Sequence, residues 1–138
     1  MELTDRVILD TDFLSYFLIQ KKSAVLMMEK LVLNGSDPVS TSITKAEMFF
    51  GACKKGWGNK RMNTLRELFG SLEILSFTSK TSEIYGELRA DLVQNGLDIG
   101  FADIAIASVA IENDCAVLTG NTAHFSRIQD IRVIKLDL

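Results

Sequence analysis

The sequence predicts an α/β protein, a three-layer α/β/α arrangement around a central parallel sheet of about five strands. Three observations carry this expectation. Five short apolar or β-branched segments alternate with stretches of 3.6-residue apolar spacing, the pattern of strands joined by covering helices. Apolar residues make up 47% of the 138 and proline occurs once, which fits a well-buried core and argues against disorder. Acids also stand directly beyond or beside these segments, and in open parallel sheets ligands bind outside the carboxyl ends of the strands. The length suits one domain spanning 1–138.

The elements follow in order. Residues 7–9 close the apolar run that ends at Asp10 and form the first strand, with a helix over 12–20 behind it. A second helix over 23–34 stops at Asn34-Gly35, where a glycine ends the apolar period. A strand over 38–40 leads to helices over 42–55 and 59–70, separated by KKGWGNK, the segment best suited to a flexible connection. A strand over 73–77 precedes a helix over 80–95 that stops at Asn95-Gly96. The run FADIAIASVAI opens a helix over 101–113, then come a strand over 116–119, a helix over 121–127 and a strand over 132–136.

The net charge of −3 gives no global attraction to nucleic acid, so any such binding must rest on a local basic patch. Cys53 and Cys115 form no C-x-x-C pattern and lack a paired histidine, which points to reduced thiols rather than zinc or a disulfide framework. Glu2 and Asp5 stand where a signal peptide carries positive charge, and no apolar run approaches the ~20 residues that span a bilayer. A soluble, cytoplasmic protein with no membrane association is expected.

Asp103 is the one charge in an otherwise apolar helix. An isolated buried carboxylate costs several kcal/mol, on the order of what a cation or hydrogen-bond donors must offset. Asp10 ends a buried strand, with Asp12 two residues on, and together these acids suggest a shared acidic pocket. Whether the 101–113 helix begins at that same edge is left open: its N-terminus is expected at the opposite end of the sheet unless the loop before it returns.

These residues resemble a known family. VILDTDFLSYFL, STSITKAEMFFGA and IGFADIAIASVAIENDCAVLTGNTAHFSRI look like the three signature regions of PIN-domain ribonucleases, in order and over essentially the whole chain, and most resemble the VapC-type toxins. The resemblance implies a flavodoxin-like fold, endoribonuclease activity with Mg²⁺ or Mn²⁺, a homodimer and a cognate antitoxin protein. It places the family's acids on Asp10, Glu47 and Asp103, as metal-holding and catalytic residues, and its fourth position on Asn121, a neutral amide. It also implies that the family's loop and helix starts bring the acids together.

Three carboxylates and an amide suit one firmly held ion, with a second recruited by substrate phosphate. Magnesium takes oxygen ligands, and a bound divalent ion activates water for attack on phosphorus. No catalytic histidine or nucleophilic serine is then required. Thr119 is a candidate to hydrogen-bond an acid from behind.

Plainer roles stand beside these. Asp10 is able to bond amides at the strand-to-helix turn, Thr44-x-x-Glu47 fits a capping box, and Asp103 lies at a positive helix end. Asp12 is favoured as the N-cap of the first helix, with an auxiliary metal contact as the alternative. His124 is expected to face solvent or pack locally, and Asp98 to be an exposed loop residue.

For RNA, Lys54, Lys55, Lys60, Arg61 and Arg66 supply five of 15 basic residues within 54–66, a stretch without acids, and Trp57 lies among them. Cations neutralise phosphates and an aromatic ring stacks an unpaired base. The alternative is a solvated surface with Trp57 packed inward. Lys45 is a separate candidate phosphate contact. Helical segments 13–19 and 46–50 are candidates for the dimer face or the antitoxin groove, although a packed core gives the same pattern.

Three other functions compete with this reading. A haloacid-dehalogenase-like phosphohydrolase would use Asp10 as nucleophile, but Leu14 stands where Thr or Val is wanted and no acidic pair follows AVLT. A receiver module lacks an aspartate after the third strand. A catalytically silent PIN fold binding RNA or a protein partner is disfavoured by the presence of Asp10, Glu47 and Asp103 together.

Overall fold

A computed structural model describes residues 5–135. Glu2, and Leu136 at the end of the expected last strand, lie outside the described residues.

Five strands, β1 (Arg6–Leu9), β2 (Asp37–Thr41), β3 (Glu73–Leu75), β4 (Ala116–Thr119) and β5 (Val133–Lys135), form one sheet in the order β3-β2-β1-β4-β5. Every pairing is parallel, with Leu9 opposite Leu118 and Ile8 opposite Val39. Side chains alternate across a strand, so Val7, Leu9, Ala116 and Leu118 face one layer while Ile8 and Val117 face the other. The first layer holds α1 (Thr11–Leu18), α2 (Lys22–Leu33), α3 (Ser42–Lys54) and α4 (Asn59–Gly70). The second holds α5 (Ser79–Gln94), α6 (Phe101–Asn113) and the short α7 (Thr122–Phe125). Helix α6 is buried from Ile104 to Ala110 on every side, as expected of a helix apolar all round.

The sheet therefore has the expected class and strand number, and most differences lie at element ends. The third strand stops at Leu75 because Phe77 leaves the sheet, its amide donating to Ser42 Oγ at 3.1 Å and its ring packing on Tyr85 at 6.0 Å. The α3–α4 connection is shorter than KKGWGNK, four residues from Lys55 to Gly58, and Trp57 packs against the core of the first layer.

One expectation is corrected. A helix that leads into a parallel strand runs antiparallel to it, so its N-terminus lies at the carboxyl end of the sheet. No returning loop is needed to bring Asp103 there. The order also reverses between β1 and β4, which makes their carboxyl ends the switch point where such sheets open a crevice.

Leu118 is fully buried in the central strand pair and Leu33 is 85% exposed. Leu118→Ala is expected to destabilise by about 2–5 kcal/mol and Leu33→Ala by less than about 0.5 kcal/mol. Urea denaturation with an unchanged slope checks both.

Candidate metal and RNA site

Asp10 stands at the switch point, 5% exposed. Its backbone amide still pairs with Leu118 O at 3.1 Å, as if β1 ran one residue further, while its carboxylate already caps α1. Oδ1 accepts from the Thr11 amide at 2.8 Å, and Oδ2 accepts from the Thr119 hydroxyl at 2.7 Å. Thr119 Oγ1 in turn accepts the Asn121 amide at 2.9 Å. Thr119 is thus placed behind Asp10, as expected.

Burial raises the Asp10 carboxyl pKa to about 6 against the lowering effect of the Thr119 and Thr11 hydrogen bonds, and the negative charges of Asp103 and Asp12 push it further up. Asp10 thus feels both neighbouring carboxylates.

The N-cap of α1 is Asp10, so the expectation that Asp12 caps this helix is corrected: the strand ends at Leu9 as expected, but the helix starts already at Thr11, which places Asp12 inside its first turn. Asp12 is instead exposed in the first turn, and its Oδ2 would lie 3.7 Å from a Cβ at Gly120. It looks across the crevice toward the loop after β4.

Glu47 is not in a capping box. Thr41 caps α3 through the Thr44 amide, and Glu47 Oε1 instead accepts the Thr11 hydroxyl at 2.8 Å. Thr11 thereby links Glu47 to Asp10, its amide on one carboxylate and its hydroxyl on the other.

Asp103 lies in the first turn of α6 with its side chain 19% exposed. Its Oδ2 receives Asn121 Nδ2 at 2.9 Å and lies 2.6 Å from His124 Nδ1. A carboxylate has only acceptors, so at that distance the proton belongs on Nδ1, and Asn121 directs its amide to Asp103. No hydrogen bond among the described residues reaches Asp103 Oδ1.

His124 was expected to face solvent or pack locally. It does neither alone, because α7 turns its ring onto Asp103. The signal available was Asn121-x-x-His124, an i, i+3 pair opening a helix directly beyond a strand end.

Among the described residues no group of three or more His, Cys, Asp and Glu side chains is assembled as a ready metal cage. Each acid turns instead to the donors beside it: Asp10 to Thr119 and Thr11, Glu47 to Thr11, Asp103 to Asn121 and His124. The donor chemistry still fits a hard divalent cation, since it consists of carboxylate oxygens, one of them buried under the negative field of two others.

The basic candidates divide. Trp57 is half-buried with the Arg61 guanidinium 4.2 Å over its ring. Lys54 Nζ is 5.9 Å above the Phe50 ring, Lys55 caps α3, and Lys60 lies in the first turn of α4. Lys45 lies beside Phe49 and Arg66, in a hollow that does not include Glu47. Asp98 is exposed as expected, and the Gly100 amide and Arg89 hold its carboxyl below the usual range. Phe17, Leu18, Val25 and Leu68 line an apolar groove of about 520 Å³.

A family model described as PIN domain matches residues 7–131. The chain is 32% identical over 123 residues to Ribonuclease VapC2 of Rickettsia felis, covering 89% of this chain and 92% of that protein. It is 30% identical over 105 residues to a Salmonella typhimurium protein named tRNA(fMet)-specific endonuclease VapC, covering 76% and 80%. Among solved structures, VapBC2 of Rickettsia felis bound to a DNA fragment from its promoter is similar at TM-score 0.87 and 32% identity, over 96% of this chain and 99% of that one. DNA-bound VapBC of Salmonella typhimurium is similar at TM-score 0.84 and 26% identity, over 98% and 100%.

The Asp10 pKa, raised from 3.8 to about 6, fixes a sign. The protonated form is favoured by folding, so this contribution to stability is fully present below pH 3.8 and is lost as pH rises through about 6. Without metal, the effect amounts to about 2–3 kcal/mol. Asp10→Asn is expected to abolish that dependence and to be at least as stable as the parent at pH 7.5. Urea denaturation in EDTA across pH 4–8 checks it, and parallel pH profiles of the two proteins would contradict it.

Proposed function

The chain belongs to the PIN-domain family, and from that premise we propose that it is a metal-dependent endoribonuclease acting as a single PIN domain, the toxin component of a toxin–antitoxin pair. The observation that carries the reading is the buried Asp10 carboxylate at the switch point, under the negative field of Asp103 and Asp12 and linked through Thr11 to Glu47. Relatives named as ribonucleases and as an endonuclease support RNA as the substrate class.

Asp10, Glu47 and Asp103 are the residues proposed to hold Mg²⁺ or Mn²⁺, with Asn121 and Asp12 beside them. When bound, such an ion supplies activation of the attacking water and neutralisation of charge at phosphorus. The protein's own part is positional. Thr119 fixes one oxygen of Asp10, while Asn121 and His124 converge on one oxygen of Asp103 and leave the other free. Lys45, Lys54, Lys55, Lys60 and Arg61 are proposed to meet RNA phosphates, and Trp57 a base.

The proposed protein partner is a cognate antitoxin, supported by solved neighbours that are VapBC complexes. A homodimer and a cytoplasmic location complete the proposal. Among the described residues no helix is long and apolar enough to cross a membrane.

Purified protein is expected to cleave a labelled RNA pool with Mg²⁺ or Mn²⁺ and not in EDTA. Asp103→Asn should reduce the rate by roughly 100-fold or more, beyond the loss of a merely orienting partner. Cleavage that survives both EDTA and the substitution would overturn the proposal.

His124→Ala should weaken Mn²⁺ binding by about 10–100-fold. His124→Asn, whose amide nitrogen falls near the Nδ1 position, should retain most of the affinity. A Mn²⁺ titration followed by electron paramagnetic resonance checks it, and equal affinities for the alanine variant and the parent would contradict it.

A further inference from the structure

We propose that the pocket between α1 and α3 beside Glu47 is a nucleobase subsite, which seats one base of an RNA strand next to the candidate acids. This rests on the endoribonuclease reading and adds where that substrate is gripped. The pocket measures about 220 Å³ and is lined in part by Thr11, Ile19, Glu47, Met48, Gly51 and Trp57.

Position is the first argument. Thr11 and Glu47, joined at 2.8 Å, belong both to this pocket and to the acid group, so an occupant lies directly beside the atoms proposed to act on the RNA backbone. Size is the second. Against about 30 Å³ for each liquid water, the space suits one flat ring system rather than a folded protein segment. The 520 Å³ apolar groove lined by Phe17, Leu18, Val25 and Leu68 is the better place for a protein chain.

Wall chemistry is the third argument. Ile19 and Met48 are apolar, and Trp57 offers an aromatic ring of the kind on which unpaired bases stack. The Arg61 guanidinium lies 4.2 Å from that ring, which brings positive charge next to the aromatic wall where a nucleotide brings its phosphate.

Gly51 is the fourth. It lies in the last turn of α3 without a positive φ, and a Cβ added there meets nothing within 4 Å. A glycine at such a place lowers helix stability relative to alanine, and packing does not require it. Its missing side chain is space in the pocket wall.

Gly51→Leu fills that space from a helical position that tolerates it. Thermal stability and Mn²⁺ binding should be retained, while KM for a short single-stranded RNA rises by about tenfold or more, the loss expected when a base loses its stacking site. The preferred cleavage positions should change as well. Gly86→Leu, on the exposed face of α5 with nothing within 4 Å of its Cβ, is the matched control and should behave as the parent.

Trp57 is the only tryptophan, so its emission reports occupancy directly. It should change on titration with at least one of AMP, GMP, CMP and UMP in the parent and not in Gly51→Leu. Emission that ignores all four nucleotides, or a Gly51→Leu protein with the parent's KM and cleavage positions, overturns the proposal and leaves the pocket to a protein segment. A parent that shows no metal-dependent cleavage counts against the endoribonuclease reading, and the fluorescence titration then still decides the pocket.

Discussion

One buried carboxylate constrains everything around it. Asp10 continues the ladder of β1 through its backbone and starts α1 through its side chain, so strand and helix meet without a connecting loop. Holding its second oxygen requires the Thr119 hydroxyl to point inward, and that hydroxyl accepts the Asn121 amide, which shapes the turn after β4. The turn delivers Asn121 and His124 to Asp103. The geometry of the second acid thus depends, link by link, on how the first is satisfied.

The three proposed metal-holding acids occupy different environments, and the differences follow from local donors. Asp10 is buried and receives two neutral hydrogen bonds, less than its desolvation requires, so its proton is held to about pH 6. Asp103 is half-buried with two donors on one oxygen. Glu47 is exposed, with a single hydroxyl. Like charges in one crevice repel, and each side chain settles on the nearest donor rather than on a common centre. A divalent cation held there would supply the missing attraction, with no buried lysine or arginine needed for the same work.

Most of the architecture was legible because each element carried its own signal. Continuous apolar runs in VILD and AVLT marked buried strands, Asn-Gly pairs marked helix ends, and a helix apolar on all sides announced the buried α6. Errors arose where two elements share a residue or where direction, rather than pattern, decides. Asp12 looked like the cap because a strand and a helix rarely meet at one residue, yet Asp10 serves both. The end at which helix α6 begins was left open by pattern alone, because it follows from direction: a helix runs opposite to the strand it feeds. Asp10, Glu47, Asp103 and Asn121 were singled out together through family resemblance, and Thr119 by its place at a strand end. Periodicity had no means of joining His124 to Asp103, 21 residues away across β4, and Trp57 packed inward because its short loop leaves it against the first-layer core.

The most direct test is a carbon-13 NMR titration of the Asp10 side-chain carboxyl, without metal and with saturating Mg²⁺. Buried among like charges, it should titrate near pH 6 without metal and at a distinctly lower pH when Mg²⁺ is present. An Asp10 carboxyl that titrates in the ordinary aspartate range and ignores Mg²⁺ would contradict the claim that this residue anchors a metal-dependent site.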